Sequence, residues 1–117
     1  MQPRRNNSSK EQRRSAQQRR GPITVHGDPD AAEALGNAWL AADGEGRHLT
    51  HGFHAWPARL HPGTAHTLID AFSKPGDTVL DPFCGGGTVV VEAAVSGRNA
   101  LGSDLNPLAV AIARMRS

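Results

Sequence analysis

Three glycines in succession, set between two apolar runs, constrain this chain more than any other feature: "VLDPFCGGGTVV", residues 79–90. A backbone without Cβ atoms is needed where the chain turns through left-handed conformations or where another group must touch it. Val79 and Leu80 read as a short buried strand leading into that turn. Beyond it, "TVVVEAAVSG" sets three β-branched valines against a helix-favouring Glu-Ala-Ala. Gly97 stands where a left-handed residue ends a helix and Thr88 near where one begins, which predicts a helix. "NALGSD" predicts a second strand. "NPLAVAIARMRS" predicts a second helix, with Asn106 as cap and Pro107 at the first helical position. The order from residue 77 is strand, glycine turn, helix, strand, helix, a right-handed parallel unit of the doubly wound α/β class.

Upstream, Asp28 suits a helix cap and Pro29 the first helical position, and Ala31, Leu35, Ala38, Trp39 and Ala42 fall along one face. That helix is expected to stop at Gly44 and Gly46. Another begins after Pro62, with Ala65, Leu68, Ile69 and Phe72 on one side, and Pro75-Gly76 turns the chain into the first strand. The run between, "HLTHGFHAWPARLHPG", has neither a helical nor a strand period. It holds His48, His51, His54 and His61, so a metal site has to be considered. No carboxylate or thiol stands within the run to complete a ligand set, and histidines satisfied by neighbours or exposed are the better reading.

The first twenty residues hold seven Lys or Arg against one Glu and no Val, Ile, Leu, Phe or Trp. Such a segment buries too little apolar surface to offset the entropy of ordering it, so residues 1–20 are expected to be a disordered basic tail. The tail carries +6 of a total of +2, leaving −4 on residues 21–117. A basic arm suits phosphate neutralisation on nucleic acid, and equally a solubilising tail without a fixed partner. No stretch approaches the roughly 20 apolar residues of a membrane span, and no secretory segment is present. Together with a single cysteine, Cys84, these features lead to the expectation of a cytoplasmic protein.

At the carboxyl ends of parallel strands, a glycine turn presents amide donors at a helix N-terminus, where anionic or polar ligands bind. A P-loop would require Lys after the last glycine, where Thr88 stands. A dinucleotide fingerprint would require a third glycine at Val90. An adenosyl ligand without phosphates remains, and Asp104, at the end of the second strand, is placed to accept hydrogen bonds from ribose hydroxyls. S-adenosylmethionine fits this pattern. Gly85, Gly86 and Gly87 are each expected to be able to take positive φ and to let the ligand touch the backbone.

"DPFCGGGT" resembles the cofactor motif of the amino-group DNA methyltransferases, usually Asp-Pro-Phe-x-Gly-Ser-Gly-Thr, and "GSDLNPLA" resembles their second motif. "HGFHAWPAR" is similar to a segment that precedes the cofactor motif in some of these enzymes and in related tRNA guanine methyltransferases. The resemblance spans about residues 51–117. It implies that Asp81 and the amides of Cys84, Gly85, Gly86 and Gly87 hold the methionine end of S-adenosylmethionine. It further implies that Phe83 packs against the cofactor, Asp104 binds its ribose, Leu105 lies beside its adenine, and Phe53, Pro57 and Ala58 close over it. Gly86 stands where Ser is common, and Trp56 where Tyr is common.

The family's catalytic loop is an Asp, Asn or Ser followed by Pro-Pro and an aromatic residue, which engages a flipped-out base. This chain has no Pro-Pro. The expectation is therefore a basic tail followed, over residues 21–117, by the N-terminal part of a Rossmann-like methyltransferase domain without its catalytic half. Nucleic acid, DNA before RNA, and a second polypeptide supplying the catalytic half are the implied partners; the alternatives are a fragment of an RNA guanine amino-methyltransferase and a non-catalytic module that binds nucleic acid or cofactor.

Overall fold

The computed structural model describes Thr24 and residues 26–42, 49–52 and 59–117. The expectations for residues 1–20, for Gly44 and Gly46, and for His48, Phe53, His54, Trp56, Pro57 and Ala58 lie outside the described residues. Among these described residues, four helices and two strands follow in the order α1 (Pro29–Leu40), α2 (Pro62–Phe72), β1 (Thr78–Asp81), α3 (Thr88–Val95), β2 (Asn99–Gly102) and α4 (Pro107–Arg116), with a 3₁₀ turn at Leu49–Gly52.

Local chemistry sets most of these boundaries. The Asp28 carboxylate accepts the Ala31 N–H at 2.8 Å, the Asn106 side chain accepts the Leu108 N–H at 3.0 Å, and a proline occupies the first turn of each of those helices, as capping requires. α2 begins differently: the His61 ring accepts the Gly63 N–H through Nδ1 at 3.1 Å. α1 ends at Leu40 with Ala41 as its cap, short of the expected glycines. The Ala41 carbonyl lies against α2 so closely that a Cβ on Gly63 would stand 2.3 Å from its oxygen. Of the face expected on α1, Ala38 is buried while Leu35 and Trp39 are largely exposed.

β1 and β2 pair in parallel, with Leu80 opposite Leu101 and Asp81 opposite Gly102. Helix α3 closes one face. A Cβ on Gly102 would meet Val90 Cγ2 at 2.8 Å, so the helix can approach the sheet this closely only because glycine stands there. Among the described residues no element packs on the other face, and Leu80 and Leu101 are 65% and 57% exposed on it. The helical layer is built largely on small side chains, with Ala65, Ile69, Val91, Ala93, Ala109, Ile112 and Ala113 all buried.

Buried charge completes the packing. Arg98 donates through Nη2 to the Ser73 carbonyl at 2.8 Å and through Nη1 to the Ser96 carbonyl at 2.7 Å, and Nη1 also pairs with Asp70 at 2.9 Å. It thereby ties the end of α2 to the turn between α3 and β2. The result is a mixed α/β chain with a small parallel sheet, compatible with part of a Rossmann-like methyltransferase fold. Among the described residues no helix is long and apolar enough to cross a membrane.

Candidate functional site

The glycine turn joins β1 to α3, and its three glycines serve different ends. Gly85 and Gly87 have positive φ, 47° and 80°, whereas Gly86 does not. Gly87 is also the N-cap of α3 and sits against α4, where a Cβ would stand 2.8 Å from that of Ala113. The close approach expected at this glycine is thus made by a helix of the same chain. Gly86 requires no left-handed backbone, which accounts for Ser being acceptable at this point of similar motifs.

The amides of the turn are mostly committed. Cys84 N–H donates to the Ser103 carbonyl at 2.9 Å, Gly85 N–H to Asp104 Oδ2 at 2.9 Å, and Gly87 N–H to the Cys84 carbonyl at 2.7 Å. Gly86 alone of the four has an N–H with no acceptor among the described residues. The row of amides expected for a ligand is reduced to one donor, and the turn is instead braced from within.

Asp104 supplies part of that bracing. It lies two residues beyond β2, and its Oδ1 accepts the Asn106 N–H at 2.8 Å while Oδ2 takes Gly85. These two amides, Asn106 first, hold its carboxyl below the usual carboxylate range. Each oxygen keeps a further lone pair for an outside donor. Asp81, at the tip of β1, uses Oδ1 to accept the Phe83 N–H at 3.1 Å. Burial first, then the charges of Asp81 and Asp104, raise the Cys84 thiol above its ordinary value.

Between the strand tips lies a cavity of about 570 Å³, lined by Asp81, Phe83, Cys84, Gly85, Gly86 and Asp104 together with Arg59, Leu60, Leu80, Thr88 and Val89. Its volume falls within the range of small-molecule pockets. Six of the eight candidate residues that fall among the described residues therefore meet on one cavity. Gly87 lies behind its wall, and Leu105 projects into solvent beside it, 98% exposed. Arg59, which was not among the candidates, brings a cation to a wall otherwise holding two carboxylates. The signal for it was its place at the end of "HGFHAWPAR".

Behind the turn lies a buried polar cluster that the sequence did not reveal. His51 is fully buried and its Nε2 meets Glu92 Oε1 at 2.7 Å. Arg116 lies 2.7 Å from His51 Nδ1 through Nη2 and donates through Nη1 to the Gly86 carbonyl. Burial, then the charge of Arg59, lowers the Arg116 pKa. Among the described residues, no three His, Cys, Asp or Glu side chains are grouped to hold a metal ion.

A family described as DNA methylase, of the N6/N4 type, matches residues 2–115. The type II methyltransferase M.MthZI of Methanothermobacter thermautotrophicus is 38% identical over 71 residues, 60% of this chain and 20% of that protein. The tRNA (guanine(10)-N2)-dimethyltransferase of Methanocaldococcus jannaschii is 40% identical over 60 residues, 50% of this chain and 16% of that protein. The type II methyltransferase M.Cfr9I of Citrobacter freundii is 54% identical over 45 residues, 38% of this chain and 15% of that protein. The chain spans no more than a fifth of the length of these three relatives.

Proposed function

Because the chain belongs to the N6/N4 DNA methylase family, we propose that residues 21–117 form the S-adenosylmethionine-binding portion of a nucleic-acid exocyclic-amine methyltransferase. The observation that carries this reading is the shared cavity of Asp81, Gly86 and Asp104 between the tips of two parallel strands. The chemistry of its walls suits the cofactor. Asp81 keeps one oxygen for an ammonium group, the Gly86 N–H and Arg59 suit a carboxylate, and Asp104 accepts ribose hydroxyls through its remaining lone pairs. Phe83 and Leu105 offer apolar contact to the sulfonium and adenine ends. Cys84, Gly85 and Gly87 shape the turn. The bound cofactor would supply an electrophilic methyl group, and the residues named here hold and orient it.

DNA is the substrate this reading favours, given the family, with the basic residues 1–20 as an arm on phosphates. The likeness to a tRNA guanine dimethyltransferase supports a second reading, in which the target is a guanine amine in RNA. In either case no Asp/Asn/Ser-Pro-Pro-aromatic loop occurs in these 117 residues. Methyl transfer is therefore expected to need a catalytic loop from outside these 117 residues, and these residues by themselves to transfer no methyl group. A cytoplasmic setting belongs to the same proposal.

Titration calorimetry with S-adenosylmethionine tests the binding claim: one site on the wild-type chain, and at least about tenfold weaker binding for Asp104→Ala. A folded wild-type chain that takes up no S-adenosylmethionine would rule the reading out.

A further inference from the structure

A run of three glycines is the most mobile backbone a turn can have, so a turn that must present one amide accurately needs restraint from outside itself. Arg116 provides it. Its Nη1 donates to the Gly86 carbonyl, its Nε to the Thr50 carbonyl at 3.1 Å, and its Nη2 faces His51 Nδ1 at 2.7 Å. A guanidinium can only donate, so Nδ1 is the acceptor and His51 carries its proton on Nε2, which donates to Glu92 Oε1 at 2.7 Å. Glu92 Oε2 in turn meets His66 Nδ1 at 3.1 Å, and the Arg59 Nη1 donates to the His51 carbonyl at 2.6 Å. A continuous chain of hydrogen bonds thus runs from α2 and α3 through the 3₁₀ turn to α4 and ends on the glycine turn.

We propose that His51 and Arg116 are positioning residues for the cofactor turn: His51 holds the guanidinium, and the guanidinium fixes the peptide plane between Gly86 and Gly87. That plane flanks the Cα whose other side carries the uncommitted Gly86 N–H, so fixing it limits the directions in which this donor can point. Neither residue lines the cavity, and both act through Gly86. The inference deepens the cofactor reading and rests on it for its binding readout only.

Two conservative replacements separate this role from plain structural support. His51→Asn retains an acceptor near the place of Nδ1, facing Arg116. His51→Gln places its amide near Nε2, facing Glu92, and withdraws the acceptor from Arg116. Amide exchange of Gly87 and S-adenosylmethionine titration of the full chain are measured for wild type, both variants and Arg116→Lys. His51→Asn is expected to stay within about twofold of wild type, while His51→Gln and Arg116→Lys speed Gly87 exchange and weaken binding by about tenfold. Equal behaviour of Asn and Gln, or the reverse order, overturns the proposal. If the His51 variants do not fold, Arg116→Lys decides alone, and loss of fold in all three shows a core brace and overturns it as well. If wild type binds no S-adenosylmethionine, the cofactor reading fails, and Gly87 exchange still decides the positioning role.

Discussion

The Asp104 carboxylate reaches from the end of β2 to the Gly85 amide at 2.9 Å, locking one strand tip to the other. One oxygen of the same group accepts from Asn106, so a single acid both starts α4 and sets the first glycine of the turn. Any ligand that bonds to Asp104 thereby meets a group whose direction is already determined.

Asp104→Asn retains the shape but replaces one acceptor with an N–H donor, which must face an amide donor of the backbone. Cofactor affinity is expected to fall about tenfold or more, read by calorimetry. The pH dependence follows from the lowered folded-state pKa. The stabilisation is complete above the unfolded value near 3.8 and is lost as pH falls through the lower folded value. Urea midpoints of wild type and Asp104→Asn should therefore differ at neutral pH and converge in acid below that window.

Gly87→Ala adds a Cβ at φ 80° and places it 2.8 Å from Ala113. Strain and clash together are expected to cost about 2–4 kcal/mol in denaturant unfolding. Gly86→Ser, at a buried residue without positive φ, escapes the backbone strain and is expected to cost less than Gly87→Ala by at least about 1 kcal/mol. Equal effects at the two glycines would contradict the division of roles described for the turn.

The Cys84 thiol is buried and raised by its surroundings. Its thiolate fraction at neutral pH is small, so alkylation by iodoacetamide should run at least about tenfold slower than for a free thiol. Since Cys84 lines the cavity, S-adenosylmethionine should slow it further.

Arg98→Ala removes a buried guanidinium that holds the Ser73 and Ser96 carbonyls. Leaving those acceptors without their donor is expected to cost about 2–3 kcal/mol. By contrast, Leu80→Thr with Leu101→Thr, on the bare face of the sheet, should leave unfolding nearly unchanged. The pair should reduce self-association in sedimentation, because an exposed apolar strand face promotes it.

Much of this arrangement was legible in the residues themselves. Asp28, Asn106 and the prolines after them announced helix starts, Gly97 announced a helix end, and the glycine turn announced the strand-to-helix connection. These signals are local, carried by caps and by φ. What escaped reading depends on distant parts of the chain. That Gly87 accommodates Ala113, that Asp104 spends two lone pairs on backbone amides, and that His51, Glu92 and Arg116 converge are consequences of packing between elements. Leu35, Ala38 and Trp39 share one face of α1, yet only Ala38 there is fully covered, because periodicity shows that a face is apolar and not how much of it a neighbour reaches.

An adenosyl cofactor in the space between Asp81, Gly86 and Asp104, as proposed above, would change the surroundings of the amides along that space. Backbone amide shifts of the full chain, followed by NMR during titration with S-adenosylmethionine, test it most directly. The predicted result is saturable shifts concentrated at Phe83, Gly86, Asp104 and Leu105, with the Gly86 amide moving furthest. Shifts confined to other elements, or a spectrum of the folded chain left unchanged by the cofactor, would contradict it.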